Sequence, residues 1–143
     1  MKQTLKIVFV LILLSSFSAH ARNEYKEFSI ADLKALDSYK TRVGTEVKFY
    51  FGSTSQVKIQ RTFGEWPSLK KTNAFNKTDE FACQWALMSA LISLKKRALK
   101  EGGNAVFIQT NNDHRAKTNS SKFECEIGNI IASVAVIGKV VKI

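Results

Sequence analysis

DEFACQWALMSALISLKKRALKE, residues 79–101, followed by Gly102-Gly103, is the stretch that decides the fold. Asn76 or Thr78 can cap a helix here, and Asp79 and Glu80 put negative charge in its first turn, where the helix dipole favours it. Phe81, Trp85, Met88 and Ile92 fall on one stripe. Cys83, Leu87, Ala90, Leu94 and Ala98 fall on the neighbouring one. An apolar band this wide predicts a long helix, about Asp79–Glu101, lying deep against a sheet. Lys95, Lys96, Arg97 and Lys100 load its C-terminal end, and the glycine pair stops it.

Strands are expected on both sides of that helix. Downstream, Asn104–Gln109 reads as a strand and Thr110–Ser121 as a polar loop. Phe123, Cys125 and Ile127 alternate inward, and Gly128 marks a bulge or bend. Ile130–Ile137 continues as an apolar strand, Gly138 breaks it, and Val140–Ile143 forms a last short one. Upstream, Val47–Phe51 is β-branched and aromatic and stops at Gly52. Val57–Phe63 alternates with period two, so the two runs are expected to pair as a hairpin across the turn at 52–55. Gly64–Lys77 reads as a loop holding the only proline, Pro67, and made basic by Lys70, Lys71 and Lys77. Ser29 with Asp32 predicts a capped short helix over Ile30–Ser38, and Lys40–Gly44 is a connection. Arg22–Glu27 is polar and expected to fray. The expected architecture is α+β: a mainly antiparallel sheet of four or five strands, one long helix on a face and a short N-terminal helix.

The first 21 residues specify location. Lys2 and Lys6 flank a basic start, Ile7–Leu14 is unbroken apolar, and Ala19-His20-Ala21 has the small-x-small pattern of a signal-peptidase site. The run is too short to span a bilayer, which takes about 20 apolar residues. Residues 1–21 are therefore read as a signal peptide and 22–143 as one α+β domain, periplasmic or secreted. No cysteine lies near the cut to carry a lipid. The formal charge of the 143-residue chain is +10, and loss of Lys2 and Lys6 leaves +8. That excess predicts attraction to an anionic surface, or serves solubility alone. Cys83 and Cys125 are the only cysteines. In an oxidising compartment they are expected to form one disulfide between the helix and a late strand, the alternative being two buried thiols. Two cysteines and one remaining histidine do not make a zinc set, and no cofactor is expected.

Catalytic patterns are sparse. His114 sits in the polar loop between Asp113 and Arg115, with no activated Ser or Cys pattern for it to serve. Glu124 and Glu126 flank Cys125 and would share the outward strand face. Gly102-Gly103-Asn104 lacks the Lys-Ser/Thr of a P-loop. Lys48, Tyr50, Lys58, Arg61, Phe63, Trp66, Lys70 and Lys71 interleave basic and aromatic types, which could stack and hold nucleic acid if the aromatics faced water.

Lys71-Thr72-Asn73-Ala74-Phe75-Asn76-Lys77-Thr78-Asp79-Glu80, then Ala82-Cys83-Gln84-Trp85-Ala86 and Ser89-Ala90-Leu91, resemble a family of small secreted proteobacterial proteins. So do Gly103-Asn104-Ala105-Val106 and Phe123-Glu124-Cys125 with Gly128. That family carries the label "excinuclease ATPase subunit". The label implies ATP use and DNA repair; this chain has no P-loop and no zinc cysteines, and it carries an export-type leader. The helix, the Gly-Asn-Ala-Val turn and the cysteine-bearing strand are also similar, at the level of fold, to the RcsF stress sensors and to YbjQ-like domains. That similarity implies a βαββ-type module with its helix pinned to the sheet, although RcsF has four cysteines and a lipid anchor. The function expected is a non-enzymatic envelope module that binds an anionic component or a partner protein through Lys70, Lys71, Lys77, Lys95, Lys96, Arg97 and Lys100. The alternatives are nucleic-acid binding by the hairpin face and a small enzyme near His114.

Overall fold

The computed structural model describes residues 21–52, 56–110 and 117–143. In chain order the elements are β1 (Asn23–Ser29), α1 (Ile30–Ala35), α2 (Asp37–Arg42), β2 (Lys48–Phe51), β3 (Arg61–Asn73), α3 (Asp79–Glu101), β4 (Ala105–Thr110), β5 (Lys122–Gly128) and β6 (Ile131–Lys142). The architecture is α+β, with one curled six-stranded sheet in the order β1-β5-β6-β4-β2 and β3 on the other edge of β6. The sheet is mainly antiparallel, as the sequence suggests, but it has six strands where four or five are expected and is mixed, because β2 runs parallel to β4.

The long helix forms where its periodicity places it. Thr78 is the N-cap, its Oγ1 accepting from the Phe81 N–H at 3.2 Å. Gly102 takes the left-handed C-cap conformation, φ 81°, which an L side chain would resist. Cys83, Ala86, Leu87, Ala90, Leu91 and Leu94 are buried against Ala132, Val134, Val136 and Val140 of β6. The stripe is displaced from the expected one at its start: Phe81 lies half exposed and stacks on Trp85. Gly138 does not break β6. It lies in mid-strand because a Cβ there would stand 2.7 Å from Leu94 Cδ1 and 2.9 Å from Val106 Cγ1. A glycine at this point lets α3 approach the sheet, so 131–142 is one strand.

The larger corrections concern pairing. No hairpin joins 47–51 to 57–63: β2 pairs with β4, and the strand expected at 57–63 begins only at Arg61. Val57 and Ile59 instead pack over Ala105, Phe107 and Val141 as a small second cluster. The expected loop at 64–77 is mostly strand, since β3 runs to Asn73 and pairs with β6 along its length. Pro67 fits there for a definable reason. The Ala74 N–H reaches Ile130 O at 2.7 Å, so even-numbered residues of this ladder point their N–H at β6. Pro67 is odd-numbered and lacks an N–H where one would point to the open edge. The N-terminal stretch is not frayed either: Asn23–Ser29 pairs with β5. The expected helix at 30–38 is two short helices, the second extending into the region read as a connection, to Arg42.

Cys83 and Cys125 form a disulfide, with both residues fully buried and their Cα atoms 5.9 Å apart. It joins the first turns of α3 to β5. None of the helices among the described residues is long and apolar enough to cross a membrane.

Candidate functional site

The seven cations expected to bind a ligand do not form one patch. Lys95 is taken up structurally: its Nζ lies 3.2 Å from Glu46 and 3.5 Å from Arg42 O, tying α3 to the loop before β2. Lys77 donates to Asn73 O at 2.9 Å and closes the β3–α3 turn. Lys70 and Lys71 are neighbours on β3, so their side chains leave opposite faces of the sheet. Ser68, in phase with Lys70, donates to Ala90 O at 3.4 Å, which puts Lys70 on the helix side and Lys71 on the far side. The loop expected at 64–77 gives these side chains no defined directions; the strand does.

Lys96, Arg97 and Lys100 do converge. They line a groove of about 290 Å³ between the C-terminal half of α3 and β3, together with Trp66, Pro67, Ser93 and Leu94. Spacing explains it: positions 93, 96, 97 and 100 lie on one helix face, which here overhangs the strand edge. The groove is built on a stacked centre. The Arg97 guanidinium lies 5.1 Å from the centroid of the Trp66 ring. Glu101, one turn on, accepts from Arg97 at 3.1 Å. The indole in turn lies along β3 over Gly64, where an added Cβ would meet Trp66 Cη2 at 3.0 Å. Arg97 is thus oriented by a ring below and a carboxylate beside it, with most of its donors left free. Lys96 and Lys100 have no partner among the described residues, and Glu101 is the one acid in contact with the three cations there. Such a cleft suits a single phosphate, sulfate or carboxylate group; its volume is at the small end for ligand pockets, about 300 Å³.

A wider cleft of about 520 Å³ lies on the far face of the sheet over Phe107 and Ile137. Its charges, Glu65 and Lys139, sit directly opposite one another on β3 and β6. The one carboxylate there balances the one lysine, whereas the groove sets three cations against Glu101 alone, so the anion reading belongs to the groove. The aromatics that would make a nucleic-acid face are not freely exposed. Tyr50 packs on Phe107 with ring centroids 5.2 Å apart. Phe63 and Trp66 are half-buried against the main core. With no hairpin, that face does not exist as expected. Glu124 and Glu126 do share the face away from the core; Lys117 lies 3.2 Å from Glu124, and Ser133 donates to Glu126 at 3.2 Å. His114 lies outside the described residues.

A charge cluster at the other end of α3 has a structural role. Arg22 donates to both oxygens of Asp79, one at 3.0 Å, and to Glu24, while Lys26 reaches Asp79 at 2.9 Å. Hydrogen bonds from Arg22 and then Lys26 hold the Asp79 carboxyl down at about 2, and Arg22 likewise lowers Glu24. The cluster fastens β1 to the start of α3.

The chain is therefore a disulfide-stapled α+β module with an arginine-on-tryptophan groove at one end of its helix. No family model, curated protein or solved structure matches it.

Proposed function

We propose that this protein is an exported, non-enzymatic binding module of the bacterial envelope that takes an anionic group in the Trp66–Arg97 groove. The observation that carries the reading is the convergence of Lys96, Arg97 and Lys100 on one groove, where Arg97 stacks on the Trp66 indole and a single acid, Glu101, orients it. An arginine held in this way needs little ordering when it meets a planar anion, which favours binding. The fully buried disulfide fits folding in an oxidising compartment. Export through cleavage near Ala21 fits the β1 strand starting at Asn23, just past that point. The ligand is an anionic surface component, or an acidic site on an envelope protein.

Calorimetric titration with a soluble phosphate-rich probe, inositol hexakisphosphate, tests the reading. Lys96→Glu with Lys100→Glu is expected to weaken binding at least about tenfold, with steep salt dependence. Lys58→Glu, an exposed change on another surface, leaves affinity nearly unchanged. Equal loss in both variants would return the binding to diffuse net charge.

A further inference from the structure

The groove runs beside an open sheet edge. β3 is 13 residues long and pairs with β6 along one side, and no strand among the described residues pairs with its other side. Even-numbered residues of β3 turn their N–H and C=O groups to β6. Those of Glu65, Leu69 and Lys71, with the Pro67 C=O, therefore point outward, without a backbone partner among the described residues. The helix overhangs this same edge. Lys95 leaves α3 on one flank and reaches Glu46, ahead of β2. Ser93, Lys96, Arg97 and Lys100 leave it on the opposite flank, beside Trp66 and Pro67 of β3. The two faces of the edge differ in character. On the helix side are these cations, with Lys70 farther along the strand. On the far side Leu69 lies opposite Ala135 and is 58% exposed.

We infer that the partner of the groove is an extended acidic segment of another protein, which adds to β3 as a further strand. This rests on the groove being the anion site and names what enters it. A strand laid along this edge satisfies the outward N–H and C=O groups, and its side chains alternate between the two faces. Acids at every second position enter the groove, and apolar residues between them cover Leu69. Charge selects this occupant over a second copy of the chain. Two copies pairing edge to edge would bring Lys70, Lys71 and the groove cations of one against those of the other. Proline and lysine on an edge strand deter pairing with a like strand. They leave the edge open to an acidic one, because the Pro67 C=O still accepts and the lysines attract it.

The test titrates the oxidised protein with acetyl-Glu-Val-Glu-Val-Glu-Val-Glu-amide and, separately, with inositol hexakisphosphate. Both are expected to bind, and the peptide alone should protect the amides of Glu65, Leu69 and Lys71 from solvent exchange. Two further peptides carry N-methyl groups, at the valines alone or at the glutamates alone, with the charge unchanged. One of them is expected to lose at least about tenfold in affinity and the other little, because only alternate N–H groups of an added strand face β3. Leu69→Pro removes an N–H that the fold leaves unused, so it should weaken the peptide by a similar factor and leave inositol hexakisphosphate unchanged. If that variant does not fold, the methylated peptides decide alone. Equal affinity of the two methylated peptides overturns the inference and leaves the groove reading standing. Binding of inositol hexakisphosphate without binding of the peptide does the same. Binding of neither overturns the groove reading, and this inference with it.

Discussion

Removing the Cys83–Cys125 bridge is expected to cost this domain a large share of its stability. The bridge spans a sequence separation of 42 residues. The chain-entropy relation, −2.1 − 1.5R ln 42, gives about −13 cal/mol/K, or about 4 kcal/mol at 25 °C. Domains of this size are stable by about 5–15 kcal/mol in total. The native state adds a second contribution. Both cysteines are fully buried between α3 and β5, so Cys83→Ala with Cys125→Ala leaves unfilled space there, while serine at either site would bury a hydroxyl. The assay is thermal and urea unfolding of the oxidised protein, the reduced protein and the double-alanine variant. A loss of about 4 kcal/mol lowers the melting temperature by on the order of 15 °C in a domain this size. The native oxidised protein should react with no thiol reagent. A reduced form melting within about 2 °C of the oxidised form would refute the reasoning, because a loop that long cannot close at so small a gain.

Two further changes test the packing and the N-terminal fastening. Gly138→Ala places a methyl group 2.7–2.9 Å from Leu94 and Val106, so urea unfolding should show a loss of about 1–3 kcal/mol despite the better strand propensity of alanine. Asp79→Asn removes the acceptor shared by Arg22 and Lys26. Because the folded carboxyl titrates at about 2, below its unfolded value, its contribution is complete above the unfolded pKa and disappears as pH falls towards 2. The pair is solvent-facing, so the expected loss at pH 7 is about 1 kcal/mol, shrinking with salt, and wild type and variant should converge in acid melts near pH 2. A gap that persists at pH 2 would mean the aspartate acts through something other than its charge.

The parts legible in the sequence are those whose physics is local. The α3 helix carries its own periodicity, its cap at Thr78 and its stop at Gly102, and β5 shows its inward face through Phe123, Cys125 and Ile127. Pairing was less legible, because it depends on partners far along the chain. Val47–Phe51 reads well as a strand, but its parallel partner 105–110 lies beyond the whole of α3. β3 was hidden by Gly64, Pro67 and two lysines, residues that suit a loop and equally suit an open sheet edge. β1 was hidden by polar NEYKE, which becomes ordered only by lying along β5. The basic residues were legible as a composition and not as a site. Helical spacing could have grouped Lys96, Arg97 and Lys100, whereas the salt bridge that removes Lys95 and the Trp66 ring beneath Arg97 depend on tertiary contacts.

The central claim is that the Trp66–Arg97 groove is where the anion binds, and an amide and indole NMR titration with inositol hexakisphosphate at low salt tests it most directly. The account predicts that the Trp66 indole N–H and the signals of Ser93, Lys96, Arg97 and Lys100 shift together and saturate, while those of Lys95 and Lys58 stay still. Shifts spread evenly over the lysines, or centred away from Trp66, would contradict it.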